Sequence, residues 1–177
     1  GLSKIDEIIS DLNWFAEPNI SALNKKVNLK KVIEKTLRIA KTEIGNIKIL
    51  VDVEDKISIY GREGRIAQVF MNILTNSIKA IHSKPALEEG LIEVSIKNNN
   101  AQDVIIEWKD NGIGVAPEEL DKLTESFYRG SSYEEGMGLG MFVVKSIINK
   151  HGGDIRFETV QHEWMKVIIT LPGNQKL

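Results

Sequence analysis

The chain predicts an α+β fold: a two-layer α/β sandwich in which a mixed, mostly antiparallel sheet is covered by helices, preceded by an N-terminal helix. Three observations lead there. Apolar residues recur at spacings of three and four in several stretches, most clearly Gln68–Ala80. Short alternating stretches arrive mostly in pairs, with turn residues between them. The chain also lacks the parallel β–α–β pattern of a dinucleotide-binding fold.

Composition narrows the classes of function. The 177 residues are 42% hydrophobic and 27% charged, as in a soluble globular protein large enough to bury a core. A net charge of −2, with no block of one sign, argues against a nucleic-acid surface or a polybasic membrane surface. Without cysteine there is no disulfide, thiolate metal site or thiol nucleophile. No apolar run approaches the roughly 20 residues of a membrane helix, and no secretory signal is visible. The start at Gly1 reads as an internal cut.

In order along the chain, Leu2, Ile5, Ile9, Leu12 and Ala16 form a short heptad seam, either the tail of a coiled coil or a helix packed on its own domain. Pro18 ends that helix, and Glu17–Lys26 reads as a linker. The expected division is therefore 1–26, helix end and linker, and 27–177, the main domain. Asn28 suits the N-cap of a helix through Val32, Ile33, Leu37 and Ala40. Gly45-Asn46 breaks it. Ile47–Val53 alternates like a strand, with Ile57–Tyr60 as its expected hairpin partner. A helix from Glu63 to His82 follows, then strands Leu91–Lys97 and Val104–Lys109. Pro117 opens a short helix that ends near Leu123. From Thr124 to about Gly136 no period is sustained, and a loop this long is usually either a functional lid or disordered. Met141–Lys150 is a helix ended by His151-Gly152-Gly153, and strands Asp154–Val160 and Trp164–Leu171 complete the chain.

Four constellations can carry chemistry. On the helix Gln68–Ala80, Val69, Ile73, Leu74 and Ile78 form a core face, while Asn72, Asn76 and Lys79 stack along another stripe. Asn is a poor interior helix residue. The pair is either a set of self-satisfied amides or a hard oxygen ligand for Mg²⁺ with a lysine beside it for phosphate. Asp110-Asn111-Gly112-Ile113-Gly114 follows a strand end. It is either a plain turn or a close backbone approach to a flat ligand, with a carboxylate that accepts from an exocyclic amine. Phe127-Tyr128-Arg129-Gly130 lies in the loop. Arg129 there is either a solvated charge or a fork for a terminal phosphate. Gly136-Met137-Gly138-Leu139-Gly140 opens a helix, whose free N–H groups suit an anion.

These stretches, in this order, resemble the N, G1, F and G2 boxes of the catalytic ATP-binding domain of bacterial-type sensor histidine kinases. That family belongs to the GHKL superfamily with DNA gyrase, the heat-shock-90 chaperones and the mismatch-repair ATPases. QVFMNILTNSIKA is similar to the N box, DNGIG to G1, SFYRG to the F box and GMGLGM to G2. The likeness runs from about Val27 to Pro172. It implies ATP and Mg²⁺ as cofactors, with Asn76 on the metal, Asn72 supporting that stripe and Lys79 on phosphate. It implies that Asp110 accepts from the adenine amine, that Gly112, Ile113 and Gly114 line the base, and that Gly136, Gly138, Leu139 and Gly140 flank the lid. Tyr128 counts among the nucleotide contacts, and Arg129 is the candidate for the γ-phosphate. Where many relatives carry an aromatic after the lysine, this chain has Ala80.

The acceptor histidine of the family, in a His-Glu/Asp…Pro setting, has no counterpart at His82, His151 or His162. All three read as structural or surface residues, His151 as a partly protonated ring at a helix end. The resemblance thus implies a fragment that binds nucleotide, cannot phosphorylate itself, and acts on a separate dimerisation hairpin. Its implied partners are ATP/ADP, that hairpin, a second copy in the full-length protein and a downstream response regulator, with no nucleic acid. Its implied location is cytoplasmic, with anchoring of the parent protein left open. The alternative is a regulatory pseudokinase that binds nucleotide without transfer. If the heptad seam dimerises, polar residues at Leu2, Ile5, Ile9 and Leu12 give a monomer by sedimentation; an unchanged mass overturns the seam.

Overall fold

A computed structural model describes residues 3, 5, 6, 9, 25–125 and 140–173. The N-terminal seam otherwise lies outside the described residues; Ile5 and Ile9 are exposed. Strand β1 (Lys25–Asn28) leads into helix α1 (Leu29–Ile39). Asn28 caps α1 as its sequence suggests, its Oδ1 accepting from the Lys31 N–H at 2.9 Å. The helix buries Leu29, Val32, Ile33 and Thr36. A short turn of helix α2 (Lys41–Ile44) follows, and Gly45, at φ +55°, ends it.

Five strands form the main sheet: β2 (Lys48–Val53), β4 (Leu91–Asn98), β5 (Val104–Asp110), β7 (Trp164–Leu171) and β6 (Asp154–Val160), in that spatial order. Three neighbouring pairs are antiparallel, and β2 runs parallel to β4. The fold is the expected mixed α+β sandwich. One pairing differs from the sequence reading. The expected hairpin between Ile47–Val53 and Ile57–Tyr60 does not form. Strand β3 (Ser58–Gly61) instead pairs antiparallel with β1 in a separate two-stranded sheet. Lys25 and Lys26, read as linker, are therefore strand residues. The short loop between β2 and β3 suits a hairpin, but in the observed pairing Val27 and Ile59 are in register and both are buried in the core.

Helix α3 (Glu63–His82) and helix α4 (Gly140–Lys150) cover the inner face of the sheet. Period-two alternation sends Val104, Ile106 and Trp108 of β5 inward, and Ile92, Val94 and Ile96 of β4 with them. Trp108 stacks beside Phe70 of α3, ring centroids 6.3 Å apart. The other face carries charged pairs, Asp52 with Lys97 at 2.6 Å, and Lys166 between Glu107 and Glu158 at 3.8 and 3.9 Å. These are exposed to partly exposed and contribute little net stability. The helix after Pro117 is a 3-10 turn, Pro117–Lys122. Among the described residues no helix is long and apolar enough to cross a membrane.

His151 closes the far end of α4 and corrects one expectation. It is a buried, neutral ring, not a partly protonated one. Its Nδ1–H donates to the Ile147 carbonyl at 2.7 Å, and Nε2 accepts from the Arg62 N–H at 3.2 Å. That acceptor role needs an unprotonated Nε2, and it satisfies an otherwise free N–H at the start of α3. Burial pushes its pKa below the ordinary histidine value; the Ile147 carbonyl opposes this and the Arg62 charge adds to it. The folded state therefore binds fewer protons than the unfolded chain. Its contribution is complete above about pH 6.5 and is lost on acidification below that. His151→Gln should cost about 1–2 kcal/mol at pH 7.5 and lose less further stability than wild type between pH 6.5 and 5, in denaturant titrations.

Candidate active site

The site is built on α3. Nine of its residues, among them Val69, Phe70, Ile73, Leu74 and Ile78, are buried against the sheet and α4. That orientation turns Asn72, Asn76 and Lys79, all half-buried, along a neighbouring stripe. Asn72 Nδ2 donates to the Gly140 carbonyl at 3.3 Å, in the first turn of α4. A Cβ placed on Gly140 would lie 4.0 Å from both amide atoms of Asn76. The asparagine stripe and the positive start of an 11-residue helix thus meet, which makes a place for an anion with a hard oxygen donor beside it. Among the described residues no group of three or more histidine, aspartate or glutamate side chains gathers into a metal site.

The second half of the site is the end of β5. The alternation that buries Val104, Ile106 and Trp108 carries Asp110 inward as well, and only 6% of it is exposed. Its Oδ2 accepts from the Ser77 hydroxyl at 2.9 Å and its Oδ1 from the Gly112 N–H at 3.0 Å. Ser77 in turn accepts from the Trp108 indole N–H at 3.1 Å. Burial pushes the Asp110 pKa up to about 6, against the opposing effects of Ser77, the Gly112 N–H and the positive charge of Lys84. A carboxylate shifted by burial in this way is a candidate for a functional site.

The turn after Asp110 is held on three sides. Toward α3, the Ile113 N–H donates to the Ala80 carbonyl at 3.1 Å. Gly112 lies so close that a Cβ would come within 2.6 Å of the Ala80 carbonyl carbon and Cβ. Ala80, 2% exposed, is packed under this turn, so a small residue there has a structural reason. Toward β4, the Asn111 N–H donates to the Leu91 carbonyl, while its side chain accepts from the Leu91 N–H at 2.8 Å and donates to the Glu89 carbonyl at 2.9 Å. Toward the β6–β7 hairpin, the Val115 N–H donates to Thr159 Oγ1 at 3.1 Å, and the His162 N–H donates to the Ile113 carbonyl at 2.6 Å. Gly114, at φ +59°, would bring a Cβ to 2.8 Å from Thr159 Oγ1 and from the Val160 carbonyl. Both glycines are required by close approach, and Gly114 by its backbone conformation too.

The structure therefore brings Asn72, Asn76, Lys79, Asp110, Gly112, Ile113, Gly114 and Gly140 together along α3 from its middle to its C-terminal end. Phe127, Tyr128, Arg129, Gly136, Gly138 and Leu139 lie outside the described residues. Ser77, Lys84 and Thr159 join the site unforeseen. Ser77 had a signal, a hydroxyl on the apolar stripe between Ile73 and Ile81. Lys84 and Thr159 had none, because both reach the turn only through tertiary packing.

A half-buried amide stripe thus meets a helix start next to a buried carboxylate in a glycine turn. Residues 61–175 match the model of the histidine kinase-, DNA gyrase B- and HSP90-like ATPases, and the chain belongs to that family. It is 32% identical to Sporulation kinase E of Bacillus subtilis over 98% of this chain and 23% of that protein. It is 28% identical to the sensor histidine kinase ZraS of Salmonella typhimurium, over 96% of this chain and 35% of that protein. The chain thus spans about a quarter to a third of such relatives. Among solved structures, a mycobacterial sensor histidine kinase, MprB, superposes with a TM-score of 0.76 at 25% identity, covering 85% of this chain and 99% of that one. The catalytic domain of the histidine kinase ThkA shares the fold at a TM-score of 0.71 and 23% identity, over 84% of this chain and 95% of that one.

Gly112→Ala should cost about 1–3 kcal/mol in a denaturant titration, because the methyl group meets helix backbone that cannot yield. Retention of full stability would mean that the turn is not seated on Ala80.

Proposed function

We propose that this chain is the ATP-binding catalytic domain of a two-component sensor histidine kinase, the domain starting with strand β1 at Lys25 instead of at Val27, with the residues before it the end of a dimerisation helix and its linker. It binds Mg-ATP and transfers the γ-phosphate to a histidine on a dimerisation hairpin; a response-regulator aspartate receives it next. The observation that carries this reading is Asp110. Its two oxygens each accept one bond within the protein, which leaves an acceptor position for the exocyclic amine of adenine. The family membership and the kinase names of the relatives support it.

Roles follow from chemistry. Gly112, Ile113 and Gly114 meet the base, and the start of α4 with Lys79 meets phosphate charge. Arg129 reaches the γ-phosphate. The Asn76 amide suits magnesium, which keeps most of its ligands as water and phosphate oxygen and supplies charge neutralisation when bound. Phosphoryl transfer needs little more of the protein than positioning and such neutralisation. The parent protein works as a homodimer on the cytoplasmic side. Retention of the polar residue in each box favours transfer over a regulatory pseudokinase.

Calorimetry with ATP, with and without Mg²⁺, tests the site on wild type and Asp110→Asn. Wild type should bind, and the variant should bind at least tenfold more weakly, the equivalent of one hydrogen bond to a charged group. Equal binding by the two overturns the adenine role of Asp110. Acid should act in the same direction. Once Asp110 is protonated, its free acceptor position is filled, so wild-type affinity falls as pH drops below about 6.

The sign for stability is opposite. A raised carboxylate pKa means that the folded state binds more protons, so stability falls as pH rises from about 4 to 6. A rise of this size corresponds to about 3 kcal/mol. Asp110→Asn should therefore be as stable as wild type or more so at pH 8, even as it loses ATP.

A further inference from the structure

We propose that Lys84 is a positioning residue for the adenine-facing turn, tying it to the β6–β7 hairpin and so fixing the carboxylate that meets the base. This rests on the nucleotide reading of Asp110. Lys84 lies just beyond the end of α3, outside every box that carries the family likeness. Its ammonium donates to the Asn111 carbonyl at 2.8 Å and to the Glu163 carbonyl at 3.1 Å. One carbonyl belongs to the residue after Asp110, the other to the tip between β6 and β7. Beside it, the Lys109 ammonium lies 4.7 Å from the Trp164 ring centroid at the start of β7.

The contact is specific in what it does. Asn111 sits between Asp110 and Gly112, the two residues whose carboxylate and N–H bond each other. A shift of the Asn111 carbonyl therefore moves both ends of that bond. The β6–β7 tip has its own hold on the turn through Thr159 and His162. Lys84 adds a charged tie at the adenine end of this seam, half-buried, where an ammonium on two carbonyls is worth more than in open water. Its charge also bears on Asp110 and favours the ionised form that an amine requires. Around that carboxyl the packed elements otherwise present a hydroxyl from α3, an indole on β5 and a backbone N–H. Lys84 is the charged group whose field reaches it among the described residues.

Two substitutions separate this role from plain stabilisation. Lys84→Met removes charge and donors; Lys84→Arg keeps the charge. Two readouts are taken from pH 5 to 8 on the whole chain. One is ATP affinity by calorimetry. The other needs no nucleotide: the Trp108 indole N–H resonance, which reports Asp110 through Ser77. Lys84→Met should weaken ATP binding about three- to tenfold at pH 7 and raise the midpoint of the Trp108 titration by roughly half to one pH unit. Lys84→Arg should restore the midpoint. Lys97→Met, which breaks a pair on the outer sheet face, should change neither readout. If Lys84→Met lowers only thermal stability, with affinity and midpoint unchanged, the proposal is wrong and Lys84 is a structural strut. If wild type fails to bind ATP, the nucleotide reading fails; the Trp108 midpoint still shows whether Lys84 governs Asp110.

Discussion

A carboxylate forced into the core by the period of its own strand is the constraint on which the site depends. Val104, Ile106 and Trp108 turn inward on β5, and Asp110 follows them because strand geometry allows nothing else. An unpartnered carboxylate there would be costly. The protein meets the cost with Ser77 from α3 and the Gly112 N–H from the next turn, and the Trp108 indole fixes Ser77 in its turn. The price in stability is a few kcal/mol, small beside the apolar surface that α3 buries through Ile66, Val69, Phe70, Ile73 and Leu74.

Both halves of the site take their position from the same helix. At one end of the stripe, Asn72 holds the start of α4. At the other, Ala80 receives Gly112 and Ile113 at van der Waals and hydrogen-bond distance. A helix of 20 residues thus sets the separation between the Asp110 turn and the start of α4, the proposed base and phosphate sites. Loops alone could not hold that distance. The turn after Asp110 is enclosed by α3, β4 and the β6–β7 hairpin at once.

Two buried ionisable groups sit on this frame and pull in opposite directions. His151 stabilises the fold while neutral, whereas Asp110 weakens it while charged. Mild acid therefore removes one contribution and relieves the other, so the two slopes of stability with pH oppose each other. The two groups sit apart, Asp110 at the end of β5 and His151 just beyond the end of α4, bonded to the Arg62 N–H at the start of α3.

Much of this was legible in the sequence. Helix α3, its core face and its amide stripe follow from spacing alone, as do the cap at Asn28, the paired strands and the glycine turns. The four boxes in order were enough to indicate the family, because each places one residue type at one structural transition. What the sequence could not show is everything that depends on which surfaces meet. Local spacing favoured a β2–β3 hairpin, and long-range burial of Val27 against Ile59 decided otherwise. Helix-end electrostatics suggested a charged His151, and desolvation made it neutral. Ser77, Lys84 and Thr159 act on the turn across 33, 27 and 44 residues of chain. The sequence by itself determined the elements and the chemistry they carry, since period and turn chemistry are local. Only the tertiary structure decided the strand pairing, the ionisation of the buried groups and the residues that hold the site, since each depends on what the packed interior excludes.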